Sequence, residues 1–211
     1  MPSYSDEPED PRAFTRSFDA GYTRFTRLYD FAVKVLPIWK GWLRHALPHV
    51  RGPRVLEVSF GTGYLLTQLD AATEAHGIDY NARMVATARG NLLRASRSAH
   101  LARATVEALP YQDASFDTVV NTMAFTGYPN AERSLAEMVR VLRPEGRFVM
   151  IDVNYPADGN WLGTTLTNGW KAAGDLIREM DPLFDQLSLD YTHEEIGGFG
   201  SVHLYLATTR S

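Results

Sequence analysis

The stretch Val55-Leu56-Glu57-Val58-Ser59-Phe60-Gly61-Thr62-Gly63 decides how this chain folds. Its apolar first half is typical of a buried strand, and its glycines are typical of a tight turn into a helical segment over residues 64–69. A glycine turn between a strand and a helix lets backbone approach a ligand closely and directs N–H groups toward an anion. The stretch therefore predicts a strand that ends in a ligand-binding loop.

Short apolar runs alternate with segments of helical period along the rest of the chain, as in a parallel sheet with crossover helices. Asn81 and Asn130 can cap two of these helices, because an asparagine side chain accepts hydrogen bonds from first-turn N–H groups. A third helical pattern runs from Leu162 to Met180. The alternation predicts an α/β fold with strands over residues 54–59, 75–79, 102–106, 117–123, 147–153 and 201–209.

The composition indicates one ordinary globular domain of 211 residues with a formal net charge of −4. The chain has no cysteine, which excludes disulfides, thiolate zinc sites, a cysteine nucleophile and a cysteine-ligated iron–sulfur cluster. No apolar run approaches the roughly 20 residues that span a bilayer. We therefore expect a soluble, cytoplasmic protein.

The chain divides into three parts. Residues 1–11 are acidic and contain three prolines, so we expect a disordered tail whose removal is harmless. Residues 12–53 are expected to form a helical lid over a core of residues 54–211. Basic residues outnumber acidic ones in residues 12–54, which indicates either a solvated helical face or contact with an anionic surface.

Asp79 ends the second predicted strand, 22 positions after Glu57. A carboxylate at this offset accepts hydrogen bonds from ribose hydroxyls, and the alternative is a structural role beside the helix that Asn81 caps. A nicotinamide fingerprint would have a third glycine where Leu66 stands. The pattern thus indicates a nucleoside-containing ligand and argues against a dehydrogenase.

Further motifs follow in order: Glu107-Ala108-Leu109-Pro110, Ser115-Phe116-Asp117 and Leu142-Arg143-Pro144-Glu145-Gly146. Together with the glycine loop and Asp79, they resemble the successive motifs of class I S-adenosylmethionine-dependent methyltransferases over about residues 54–153. The chain is most similar to the broad "type 11" group, which includes quinone and phosphatidylethanolamine methyltransferases. The resemblance implies a Rossmann-like sheet of seven strands whose last strand is antiparallel, an N-terminal helical extension, and S-adenosylmethionine as cofactor.

The resemblance also implies how the cofactor's amino-acid end is held. Glu57 and the loop residues Ser59, Gly61 and Gly63 would hold the methionine end, and Asn121 would face it. Family members usually carry glycine where Ser59 stands. The serine should narrow the loop, so we expect its replacement by glycine to bind cofactor at least as well.

The nucleoside end would be held by residues that follow the second and third strands. By resemblance, Asp79 would accept from the ribose hydroxyls, while Tyr80 and Met84 would flank the adenine. Glu107 would accept from the adenine amino group, and the backbone N–H of Ala108 would reach a ring nitrogen.

The acceptor is less defined by the sequence. We expect methyl transfer to a small molecule by direct displacement, with a lipid head group or quinone at an anionic membrane surface as the alternative. The non-catalytic alternative is a catalytically silent partner subunit with the methyltransferase fold. Nucleic acid is not expected, since Asn121 is not followed by the Pro-Pro-Tyr of nucleobase amine methyltransferases, and no metal site or oligomeric state is predicted. The acceptor-side candidates are Tyr22, Tyr29, Tyr128, Asn154 and Tyr155.

Overall fold

The computed structural model describes residues 2–17, 20 and 37–209. Its centre is a seven-stranded sheet in the order β3-β2-β1-β4-β5-β7-β6. Neighbours from β3 to β5 are parallel, whereas β7 runs antiparallel to both β5 and β6. This topology confirms the expected Rossmann-like α/β fold with an antiparallel last strand. The strands are β1 (Arg54–Val58), β2 (Glu74–Asp79), β3 (His100–Arg103), β4 (Phe116–Thr122), β5 (Leu142–Val153), β6 (Leu189–Gly197) and β7 (Val202–Thr209).

The helices begin where the capping residues predict. The Asn81 side chain accepts from the N–H groups of Arg83 and Met84, and Asn130 accepts from Arg133. Residues 11–17 are also helical. Within the described ranges no helix is both long and apolar enough to cross a bilayer. The principal helices are α1 (Pro37–Arg44), α2 (Ala82–Arg94), α3 (Ala131–Arg140), α4 (Trp161–Ala173) and α5 (Asp181–Gln186).

Apolar side chains pack on both faces of the sheet. Leu56 and Val58 of β1 pack in one cluster with Leu135 of α3, while Val55 packs in another with Ala88 of α2. Because helices cover both faces, the central parallel strands are buried along almost their whole length, including polar residues such as Glu57 and Asn121.

Several elements differ from the sequence-based expectations, among them β3 at His100–Arg103, where residues 102–106 are predicted, and β5, which begins at Leu142 and not at residue 147. The segment after Gly63 forms only a short 3-10 turn, Leu66–Gln68, in place of a helix. The helical pattern that begins near Leu162 ends at Ala173, since Gly174 adopts a left-handed conformation with φ 111°. The strand β6 escapes prediction because only one of its nine residues is buried, so its apolar alternation is weak.

The N-terminal segment lies on the core instead of forming the expected disordered tail. The backbone N–H of Ser5 donates to the Ile177 carbonyl at 2.7 Å, and the Ser5 hydroxyl accepts from the Ile177 N–H. The carbonyl of Ser3 accepts from the Tyr155 hydroxyl and from the Lys171 ammonium. Composition missed these contacts because the partners lie more than 150 positions away in sequence.

Candidate functional site

An open cavity lies at the carboxyl ends of β1, β2 and β4, with a volume of about 1200 Å³ when the solvent in its mouth is included. Ligands of open α/β sheets bind at this edge, where the strand order reverses next to β1. The extension contributes Thr15, Trp39 and Leu43. The remaining lining consists of Ser59, Phe60, Gly61, Thr62, Tyr64, Asp79, Tyr80, Asn81, Met84, Ala104, Thr105, Val106, Glu107, Thr122, Met123, Ala124, Gly127, Tyr128 and Pro129.

The glycine loop has left-handed backbone at three positions, with φ of 58° at Ser59, 54° at Gly61 and 72° at Gly63. A Cβ on Gly63 would lie 2.8 Å from the Cβ of Ala88, so this glycine lets the loop pack on α2. A Cβ on Gly61 would meet nothing within 4 Å. The two glycines therefore have different roles: Gly63 serves packing, and Gly61 leaves backbone open to a ligand.

Asp79 connects this loop to the start of α2. Its Oδ2 accepts from the Gly61 N–H at 2.9 Å, and its Oδ1 accepts from the Asn81 N–H at 2.8 Å. The side chain lines the cavity although the residue is only 7% exposed. The contact with Asn81 matches the structural alternative for Asp79, while its place in the cavity is compatible with ribose binding.

Glu57 lies beneath the loop and is not part of the cavity lining. Burial, with a smaller contribution from the negative charge of Asp79, raises the pKa of Glu57 to about 8. Its Oε2 is buried and has no hydrogen-bond partner in the part of the chain that the structure describes. An unpaired buried oxygen of this kind is costly unless a ligand or water supplies a donor.

The residues predicted for the adenine end only partly reach the cavity. Tyr80, Met84 and Glu107 line it, and the Arg103 guanidinium lies 5.7 Å from the Tyr80 ring centre. Ala108 does not line the cavity, and its N–H donates to the Thr105 carbonyl at 3.3 Å. The predicted contact between the Ala108 N–H and a ring nitrogen is therefore not preformed.

A hydrogen-bonded group at the cavity floor joins the loops that follow β1 and β4. The Tyr128 hydroxyl lies 2.7 Å from both Ser59 Oγ and Asn121 Nδ2. Asn121 is fully buried behind Tyr128 and does not line the cavity. Burial raises the pKa of Tyr128, and its hydroxyl is engaged by Ser59 and Asn121.

The structure describes three of the five acceptor-side candidates. Tyr128 lines the cavity, whereas Tyr22 and Tyr29 lie outside the described residues. Asn154 and Tyr155 are not in the lining, and their polar groups make hydrogen bonds within the fold. The Asn154 amide donates to the Tyr205 hydroxyl, and the Tyr155 hydroxyl donates to the Ser3 carbonyl. Their predicted acceptor-side roles therefore gain no support from this cavity.

A buried carboxylate that the motifs do not predict fixes the loop that follows β4, residues 124–129. Asp152 Oδ2 accepts from three consecutive N–H groups, those of Ala124, Phe125 and Thr126, at 2.6–3.2 Å. Burial raises the pKa of Asp152 to about 6, and the Arg178 guanidinium donates to the Tyr128 carbonyl on the other side of the loop. No local sequence signal reveals this group, since its members come from distant segments.

Comparisons with known proteins agree with this geometry. Residues 56–150 match the model of a family described as a methyltransferase domain. The chain is 35% identical over 140 residues to a demethylmenaquinone methyltransferase of Deinococcus radiodurans, covering 62% of this chain and 58% of that one. It is 34% identical over 129 residues to a phosphatidylethanolamine N-methyltransferase of Cereibacter sphaeroides, covering 59% and 63%. The chain thus spans less than two thirds of the length of these curated relatives.

A solved structure shares the whole fold. An S-adenosylmethionine-dependent methyltransferase from Thermotoga maritima superposes with a TM-score of 0.73 at 18% identity, covering 90% of this chain and 98% of that one. The motif order, the strand order, the cavity at the carboxyl edge and the matched domain lead to one conclusion: the chain has the fold of class I S-adenosylmethionine-dependent methyltransferases and matches a methyltransferase domain over residues 56–150.

Proposed function

We propose that this chain binds S-adenosylmethionine in the cavity and transfers its methyl group to a small-molecule acceptor by direct displacement. The observation that carries the proposal is the position of Asp79, which lines the cavity at the end of β2 while holding the glycine loop in place. When bound, the cofactor supplies a methyl group on a positively charged sulfur.

The cavity residues suit the parts of this cofactor. Asp79 and Glu107 provide acceptors for ribose hydroxyls and an amino group, and Tyr80 and Met84 provide surfaces for an aromatic base. The Oε2 atom of Glu57 is buried beneath the glycine loop and has no hydrogen-bond partner among the described residues. The glycine loop itself would hold the amino-acid end of the cofactor. The hydrogen-bond acceptors and apolar surfaces of the cavity therefore support S-adenosylmethionine as the ligand.

The chain's own contribution to the reaction would be positioning. The loop of residues 124–129 is fixed by Asp152 and Arg178, so its lining residues form a defined wall. Trp39 and Leu43 of α1 add apolar surface, which excludes water and holds an acceptor near the reacting methyl group. Such fixed placement of the reactants can supply a large part of the rate enhancement of a direct displacement.

Isothermal titration calorimetry with S-adenosylhomocysteine tests cofactor binding, and mass spectrometry of amine, thiol, hydroxyl and carbon acceptors tests turnover. We expect binding in one site and a product 14 Da heavier than its acceptor, the mass of one CH₂. Absence of binding at millimolar ligand would refute the proposal. Binding without turnover on any acceptor would instead favour a catalytically silent partner subunit.

A quinone or lipid head group is the second candidate acceptor. It is supported by the names of the two curated relatives, by the aromatic and apolar wall of Trp39, Leu43 and Phe60, and by the basic surplus in residues 12–54. Co-sedimentation with vesicles containing anionic lipid tests this idea. Binding at low salt that fades as salt is added would support it, because salt screens surface charge. No binding at low salt would favour a soluble acceptor.

A further inference from the structure

The hydrogen bonds at the cavity floor have a defined direction. Asn121 Nδ2 donates to the Val58 carbonyl at 3.0 Å and to the Tyr128 hydroxyl at 2.7 Å. The reversed amide would place its oxygen against the Val58 carbonyl, where two acceptors repel. The carbonyl therefore fixes the amide orientation, and the Tyr128 oxygen is an acceptor for Asn121.

This direction determines what Ser59 can do. A phenol has one proton, and with its oxygen occupied by Asn121 that proton is available for Ser59 Oγ, 2.7 Å away. Ser59 Oγ then accepts from Tyr128, which leaves the serine proton free to donate. Ser59 lines the cavity, so a bound ligand is within reach of that proton.

The backbone conformation at Ser59 is a second, independent indication that its side chain has a role. Its φ of 58° lies in the left-handed region, which residues with a side chain rarely adopt and which glycine adopts at little energetic cost. A serine at such a position has a cost in folding free energy, which the hydroxyl's contact with Tyr128 partly offsets.

We infer that Ser59 donates its hydroxyl proton to the carboxylate of the cofactor's amino-acid end, and that Tyr128 is the positioning residue that aims it. The inference rests on the proposed function. Because the serine oxygen already accepts from Tyr128 and its proton is unused, the hydroxyl is set to donate, which suits the carboxylate of that end better than the ammonium group. This gives the serine a positive role, in contrast to the narrowing that the sequence predicts.

The test compares two ligands by calorimetric titration: S-adenosylhomocysteine, which has the amino-acid end, and 5′-methylthioadenosine, which lacks it. Variants S59A, S59G and Y128F are compared with the parent, and S115A is the matched control. Ser115 is outside the cavity lining and its hydroxyl makes a single bond, to the Gln112 carbonyl. Thermal unfolding of each variant checks that it is folded.

We expect S59A and S59G to weaken S-adenosylhomocysteine binding by about 10-fold or more, the effect of losing a hydrogen bond to a charged group. Y128F should weaken it by a smaller factor, since the serine then loses only its alignment. Binding of 5′-methylthioadenosine should change by less than about two-fold, and S115A should change neither affinity.

Parental affinity of S59A for S-adenosylhomocysteine would overturn the inference and leave the proposed function intact. Equal losses for both ligands would also overturn it, because the serine would then support the loop and not the carboxylate. If the parent chain binds neither ligand, the proposed function fails with it.

Discussion

The backbone N–H of Gly61 lies 2.9 Å from Asp79 Oδ2, and this hydrogen bond joins the loop after β1 to the last residue of β2. The same carboxylate accepts from Asn81, at the start of α2. One buried side chain thus connects three segments of the cavity wall. Its loss should affect both the shape of the cavity and the stability of the fold.

Replacement of Asp79 by alanine should weaken S-adenosylhomocysteine binding by roughly 10- to 100-fold and lower the free energy of unfolding by about 2 kcal/mol, because hydrogen bonds to a buried charge are lost. Calorimetry and urea denaturation measure the two effects. The control is D70A, which removes an exposed carboxylate that accepts from the Ala72 N–H. Unchanged affinity in a folded D79A variant would show that the ribose is held elsewhere.

Replacement of Glu57 by glutamine should flatten the dependence of stability on pH. Burial raises the pKa of Glu57 from 4.5 to about 8. Between those values the folded chain keeps a proton that the unfolded chain releases, so the free energy of unfolding falls as pH rises from about 4.5 to about 8. Each unit of pKa difference corresponds to about 1.4 kcal/mol. Glutamine cannot ionise and removes this slope.

The measurement for Glu57 is urea denaturation without cofactor at pH 5 and pH 8. The control is E132Q, which changes an exposed glutamate in the first turn of α3. Equal slopes for E57Q and the parent would contradict the expectation and indicate that Glu57 is ionised in the folded chain.

Replacing Gly61 and Gly63 by alanine, one at a time, should show which glycine supports the stability of the fold and which supports cofactor binding. Both positions have left-handed backbone, so each alanine should cost about 1–2 kcal/mol. G63A should cost a further 1–3 kcal/mol, roughly, from contact with Ala88, and the second change A88G should relieve that part. G61A should mainly weaken cofactor binding. If A88G does not rescue G63A in thermal unfolding, the packing explanation is wrong.

Removal of residues 2–6 should lower the free energy of unfolding by about 1–3 kcal/mol, the contribution of two or three net hydrogen bonds. The lost contacts are those of Ser3 and Ser5 with Tyr155, Lys171 and Ile177. Thermal unfolding of the shortened and full chains checks this result. Identical midpoints would support the original expectation of a segment that does not contribute to the fold.

The sequence predicted those parts of the fold that depend on contacts between residues close together in the chain. Asn81 and Asn130 each cap a helix with N–H groups two or three residues away, so the chain positions alone reveal them. Asp79 and the glycines are recognisable for the same reason, since the loop geometry constrains residue types over a short stretch. The contributions of Thr15, Trp39 and Leu43 to the cavity depend on tertiary packing, and no spacing in the sequence encodes it.

The Asp152 group has a consequence for how such a protein diverges. The backbone of residues 124–126 is held by a carboxylate from β5, a strand outside the loop, and the Thr126 hydroxyl adds a bond to the same carboxylate. A cavity-lining side chain that takes no part in these bonds, such as the methyl group of Ala124, can therefore be exchanged during evolution while the path of the loop is retained. Such a substitution changes one wall of the cavity without rebuilding the half that Asp79 organises.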